Sequence, residues 1–425
     1  MRVCHITTVH PVQDARIYHR MCRALARRGL EVSLIAPQSF SAEPHLCPSP
    51  FNESLGQASR LRRSGVALRA ALAESADVYH FHDPELIPVG LALKTLRRNT
   101  AVVYDVHEDY PSMMRDKYWL PSSTRPAAAL GARLANGVAE KFHDGIVVAD
   151  TGVGADFMRA AGEKTLVYYN FPSLDLFTPL SLPLVQPSAD LVYVGGLSER
   201  AGIFVLFDAL KILAQWGVHA SVRLAGYTDG DKGLAAIGAA LRRLGLAGQV
   251  QFDGRLAHDE VPAWLSRGRI GLVLLQAVPK FMKNIPSKMF EYWACGLPVL
   301  ASDLPPARQF LVEGQNGYLF APASALHLAQ RIAQLLRDPA ECESLGRAGR
   351  RMIEEEWNNE RQVDDLVGFF RKLLQKRARG TQGATSRRVP PATGTSFTDR
   401  PGDSSERSTR PAPAAEVWKP REQAP

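Results

Sequence analysis

The sequence predicts an α/β protein built on parallel sheets, in two domains followed by a tail. Three observations carry this expectation. Strand-like and helix-like patterns alternate almost throughout, which argues for parallel strands with helices on both faces. The 425 residues exceed what one ordinary core uses. A proline-rich, weakly charged break at 179–187 divides the alternation into two series.

The first series opens with a strand over 2–7, a helix over about 15–28 ended by Gly29, and a strand over 31–35. Strands at 77–81, 102–106, 145–148 and 165–169 continue the same sheet, giving a first domain over 1–178 and a linker over 179–189. Strands at 190–194, 221–225, 250–252, 270–275 and 298–301 build a second domain over 190–358, with 203–216 its clearest helix. After a short strand at 317–320 the chain turns helical from about 323 to 375, the last helix spanning 359–377. Residues 378–425 are mostly Gly, Ser, Thr, Pro and Arg, too poor in aliphatics to offset ordering entropy, and are expected to be disordered.

Composition narrows the function. A 45% hydrophobic and 22% charged content is that of a soluble globular protein. The longest apolar runs, such as 270–275, fall far short of the roughly 20 residues that span a membrane. Five scattered cysteines without a CxxC pair give neither a zinc site nor a disulfide framework. The start runs directly into a strand pattern, so no signal peptide is expected and a cytoplasmic location is the default. The net charge of +8 gathers at Arg60, Arg62 and Arg63, at Lys94, Arg97 and Arg98, and at Arg387 and Arg388. That suits a solvated basic face, or peripheral contact with anionic lipid headgroups or a lipid-diphosphate acceptor. No aromatic-rich nucleic-acid module accompanies the charge, so nucleic acid is excluded as a partner.

The most informative stretch runs from Asn284 to Val299 and reads as a loop, a short helix, a glycine stop and a buried strand. Pro286 suits the first helical turn, and Gly296 with Pro298 ends the helix. Glu291 therefore sits on a short helix whose amino end is open to an anion. This layout suits a phosphate-bearing ligand whose sugar hydroxyls need a carboxylate acceptor.

Pro286, Lys288, Glu291, Tyr292, Ala294, Gly296, Pro298 and Val299 resemble the donor-site signature of retaining glycosyltransferases of family four. The resemblance covers the chain to about Gln375 and is strongest over 287–303, including Ser287. It implies the GT-B fold, in which two Rossmann-like domains face across a cleft and a C-terminal helix crosses back to the first domain. It also implies transfer of a hexose-type sugar from a nucleotide-sugar donor to a hydroxyl of a sugar or lipid-linked sugar acceptor. Retention at the anomeric carbon, no metal and no cofactor are expected, in cell-envelope or extracellular polysaccharide assembly. By the resemblance, Glu291 would hold the ribose hydroxyls. Many members carry a second glutamate eight residues earlier, where this chain has Lys283.

Other candidates follow strand ends, where open parallel sheets bind ligands. His107 directly follows a strand, at the place where the family keeps a histidine beside the reacting sugar. Glu108 and Asp109 would raise the pKa of its imidazole if their side chains point the same way. The loop 8–17 lacks the family's two glycines and carries Asp14 and Arg16, which read either as acceptor-side residues or as a helix cap and a surface residue. His80 and His82 face the same way beside Asp83. With no third ligand at a set spacing, His82 and Asp83 are assigned to a polar wall of the acceptor pocket rather than to a metal.

In the second domain, Gly195 and Gly196 form a turn that admits phosphate close to the backbone, and Arg200 offers a bidentate contact. The family usually has a basic pair here. Lys283 and Lys288 would compensate, unless Lys288 pairs with Glu291 at i, i+3. Arg200, Lys283 and Lys288 would together stabilise the departing diphosphate. Arg255 and Leu256 match the position of the family's nucleobase edge. Two other classes stay open: a nucleotide-sugar epimerase on the same fold, and a non-catalytic binding or scaffold member, which Lys283 and the missing glycines favour.

Overall fold

The computed structural model describes residues 1–116, 120–177, 188–228 and 230–386. Seven parallel strands form the first sheet: β1 (Arg2–Ile6), β2 (Glu31–Ile35), β3 (Leu46–Pro48), β4 (Val78–Phe81), β5 (Ala101–Val106), β6 (Gly145–Val148) and β7 (Thr165–Val167). Their order is β3-β2-β1-β4-β5-β6-β7. Six more form the second: β8 (Ala189–Gly196), β9 (Val222–Tyr227), β10 (Val250–Phe252), β11 (Gly268–Val273), β12 (Val299–Ser302) and β13 (Gly317–Phe320). These are ordered β10-β9-β8-β11-β12-β13. β4, β5 and β6 are buried along their whole length, which is why they read as apolar runs broken only by His80 and Asp105. In both sheets the strand order reverses beside the first strand, at β1/β4 and at β8/β11. Those switch points open crevices at the strands' carboxyl ends.

Eight helices bear on function: α1 (a π-helix over Ala15–Cys22 continued as an α-helix over Arg23–Arg27), α2 (Arg60–Ala73), α3 (Ile87–Leu96), α4 (Tyr110–Asp116), α5 (Arg125–Phe142), α6 (Ile203–Gln215), α7 (Ser287–Ala294) and α8 (Asn359–Ser386). Asp14 caps α1 by accepting from the amides of Arg16 and Ile17 at 2.8 and 3.0 Å. In the wide turns that follow, Arg16 and Arg20 are both buried. Val363, Leu366, Phe370 and Leu373 of α8 join the core made by Val3, Val78 and Val103, so the last helix does return to the first sheet.

Three boundaries differ from expectation. The last helix does not stop at 377 but continues to Ser386, because 375–379 is a run of strong helix formers. Pro286 occupies the N-cap of α7 rather than its first turn, with extended backbone at ψ 103°. The edge strand β3 was not expected, being three residues long and ending in a proline. The expected linker and the tail beyond 386 lie outside the described residues, apart from Ser188 and Ala189.

Candidate active site

Two cavities open at the carboxyl ends of the sheets. One, of about 480 Å³, is lined mainly by the first domain, including His10, Asp14, Arg16, Asp83, His107, Met113 and Met114. The other, of about 400 Å³, lies between the domains and takes in Gly195, Gly196, Ser287 and Lys288. His107, Glu108, Asn170 and Ser287 line both, so the cavities meet at His107.

His107 is held from behind by Asp105, a carboxylate inside the otherwise apolar strand β5. Asp105 Oδ2 lies 2.9 Å from His107 Nε2 and 2.9 Å from His82 Nδ1. Arg16 grips the same carboxylate with two bonds, Nε to Oδ2 at 2.9 Å and Nη2 to Oδ1 at 2.7 Å. Burial alone would raise the Asp105 carboxyl, but the Arg16 guanidinium and the two rings hold it well below the usual carboxylate range. An ionised Asp105 accepts a proton bond from each ring. His107 is thereby fixed with N–H at Nε2, leaving Nδ1 as its free acceptor. Behind this, His82 Nε2 accepts from His5 Nδ1 at 2.9 Å, and burial keeps both rings neutral.

The first loop is pinned without glycines. Asp83 Oδ2 accepts from the Thr7 and Thr8 hydroxyls, each at 3.0 Å, and from the Thr8 amide. His10, whose ring lies 4.8 Å from that of His107, stands between Asp14 at 3.3 Å and Asp83 at 3.5 Å. Although burial opposes its charged form, the bond and charge of Asp14 raise the His10 pKa.

The N-cap of α7, Pro286, makes no side-chain capping bond, and Pro286, Ser287 and Lys288 at this end of the helix line the second cavity. The Lys288 ammonium sits 3.9 Å from the centre of the Tyr193 ring. Burial brings its pKa down to about 8, and among the described residues it makes no ion pair. Gly195 lies directly beside it: a Cβ there would stand 2.7 Å from Lys288 Nζ, and its φ of 132° already suits only glycine.

The structure therefore brings together His107, Lys288, Ser287, Gly195, Gly196, Asp14, Arg16 and Asp83 around the two cavities. Others are placed elsewhere. His82 does not wall the pocket but lies fully buried behind it. Glu108 and Asp109 point away from the His107 ring to bond Lys280 and Lys283, at 2.9 and 2.6 Å. Lys283 is thus committed across the cleft and does not line the second cavity. The turn closed by left-handed Gly202 leaves Arg200 exposed, and neither Arg200 nor Arg255 nor Leu256 lines either cavity. Glu291 is buried against Arg20 of α1, with Oε1 2.7 Å from Nη2, and its charge also acts on Lys288 without forming an ion pair with it among the described residues.

Sequence reasoning missed Asp105, His10 and Arg20. A charged residue in a strand as apolar as β5 was the available signal for Asp105, since such a group is rarely buried unpaired. The third partners that were not visible for His80 and His82 come from neighbouring strands. His5, His80 and His82, and separately His82, Asp105 and His107, each offer ligand atoms within 4.8 Å of one another. Both nitrogens of His80 and Nε2 of His5 are buried without a hydrogen-bond partner among the described residues.

Two parallel-sheet domains with a cleft of this kind define a two-domain α/β class. A model described as Glycosyltransferase Family 4 matches residues 15–171, and one described as Glycosyl transferases group 1 matches 181–352. The chain belongs to the family-4 glycosyltransferases of GT-B type. It is 26% identical over 184 residues to the amylovoran biosynthesis glycosyltransferase AmsK of Erwinia amylovora, covering 43% of this chain and 44% of that one. The chain spans about half the length of the curated relatives it matches first. Two solved structures share the fold across 88% of this chain and all of theirs. They are sucrose-phosphate synthase from Thermosynechococcus elongatus (19% identical, TM-score 0.68) and Anabaena Alr3699/HepE in complex with UDP-glucose (19%, 0.65).

Proposed function

We propose that this protein moves a hexose-type sugar, with retention, from a nucleotide diphosphate sugar to a hydroxyl of a saccharide or lipid-linked saccharide. The pathway is the synthesis of a cell-envelope or extracellular polysaccharide or a related glycoconjugate. The observation that carries this is the Lys288 ammonium beside the Gly195–Gly196 turn and the open end of α7, in a cavity that meets its neighbour at His107.

The diphosphate lies in the second cavity, where Lys288 and backbone amides stabilise the charge that develops as the sugar–phosphate bond breaks. The acceptor hydroxyl enters from the first cavity and bonds the anomeric carbon on the face that the diphosphate leaves, passing its proton to the departing phosphate oxygen. His107, oriented by Asp105, presents Nδ1 at that junction as a hydrogen-bond acceptor for the reacting sugar. AmsK, by its name an amylovoran biosynthesis glycosyltransferase, supports the reaction class, and Alr3699/HepE, solved in complex with UDP-glucose, supports the donor class.

The test is nucleotide release from a panel of UDP-, GDP- and ADP-sugars by native protein, His107→Ala and Lys288→Ala. Release from one donor, reduced by about 100-fold or more in each variant, supports the proposal. Silence across the panel, with nucleotide still bound in calorimetry, would instead assign a binding role.

A further inference from the structure

Helix α5 shows the reverse of the usual surface pattern. Leu130, Leu134, Val138 and Phe142 recur every four residues along one side and are 58, 63, 36 and 46% exposed. Such a stripe normally faces a core. The other large side chains exposed on this helix are Arg133 and Lys141, while its lone carboxylate, Glu140, is half-buried. A contiguous exposed apolar stripe of this kind marks an interaction surface.

Its neighbours indicate the partner. α3 packs against α5, and α2 against α3, in one layer over the first sheet. α2 carries four arginines, α3 one lysine and α5 three basic residues, against the single acidic Glu140 in all three helices; Arg60 and Lys94 are paired with Glu85 and Asp144, whereas Arg62, Arg69, Arg133 and Lys141 are exposed. A second copy of the chain would set these cations against each other. An anionic bilayer surface complements both the charge and the apolar stripe. The position also suits the chemistry: α4, whose Met113 and Met114 line the first cavity, packs closely along α5.

We infer that the α2–α3–α5 face docks on an anionic membrane, with the α5 stripe entering the headgroup–acyl boundary, so that a lipid-linked acceptor reaches the first cavity from the bilayer. This rests on the proposed transferase function only for the identity of the acceptor. No helix among the described residues is long and apolar enough to cross a membrane, so the contact is peripheral in kind.

The test is cosedimentation of the full chain with phosphatidylcholine vesicles, with and without phosphatidylglycerol, compared with the double variant Leu130→Gln/Leu134→Gln. Native protein is expected to bind the anionic vesicles, less so at high salt, and the variant to bind at least about 10-fold more weakly. Its melting temperature and its release of nucleotide in solution should be unchanged, which separates failure of docking from failure of the catalytic proposal. Absent binding by native protein, or equal binding by the variant, overturns the inference. So does a native dimer that the double variant converts to monomer, which would give the stripe to a second copy.

Discussion

Asp105 receives Arg16, His82 and His107 on two oxygens while fully buried. Asp105→Asn would leave the Arg16 guanidinium buried without its counter-charge, at a cost of about 3–5 kcal/mol, whereas His107→Gln should cost less than about 1 kcal/mol because that ring borders open space. Both should abolish most turnover, so melting temperature separates them. The folded carboxyl is depressed. Its stabilisation is therefore complete above the ordinary Asp value near ~4 and is lost only as pH falls from there towards the folded value. Melting temperature should accordingly drop more steeply below about pH 4 in native protein than in Asp105→Asn. Lys288 titrates in the opposite range: burial lowers its ammonium to about 8, and a diphosphate binds the charged form. Donor binding should take up protons near that pH and weaken above it, read by calorimetry in buffers of different ionisation heat, and Lys288→Met should flatten the profile. At this scale the sequence singled out His107 by its strand-end position and Lys288 by the family motif, and both line the second cavity. It did not reveal that Asp105 orients one, or that Glu291 pairs with Arg20 rather than with the other, because both facts depend on cross-strand and cross-domain neighbours.

Elements were legible where burial repeats along the chain. β2 and β6 fall on the expected residues because buried, mainly apolar runs between turn signals have few alternative readings, while β10 and β13, only partly buried, match because turn signals bound them. The π-helical start of α1 left no comparable trace: it depends on Arg16 and Arg20 both reaching inward partners, Asp105 and Glu291. The β8 turn shows how an element makes a site. Gly195 adopts φ 132° and sits against the Lys288 ammonium. Gly195→Ala should destabilise the fold by about 1–3 kcal/mol through backbone strain. By displacing Lys288 it should also weaken nucleotide binding about 10-fold, a loss of about 1.4 kcal/mol. Urea unfolding and nucleotide titration of the same variant measure both. Unchanged nucleotide affinity in a destabilised protein would place the phosphate away from this turn.

Across the whole molecule, the cleft is held by bonds between domains: Glu108 to Lys280 and Asn284 at 2.9 and 3.0 Å, Asp109 to Lys283 at 2.6 Å, and Asp150 to the Ile285 amide at 3.2 Å. The deepest is Arg20 to Glu291, where burial pushes the carboxyl pKa up more than the guanidinium brings it down. The family resemblance gives Glu291 the donor ribose, while the geometry gives it a strut between α1 and α7, and the two roles predict different energetics. A strut leaves a buried charge whenever one partner is truncated, so Arg20→Met or Glu291→Gln alone should cost about 3–5 kcal/mol. The double variant should recover much of that loss, with a coupling of about 1.5 kcal/mol or more. If the strut is the whole role, the double variant should also bind nucleotide within about threefold of native protein. A ribose contact predicts instead that every variant lacking Glu291 loses donor affinity equally, whatever stands at position 20. Melting and nucleotide titration across this four-protein cycle decide between a carboxylate that joins two domains and one that holds a sugar.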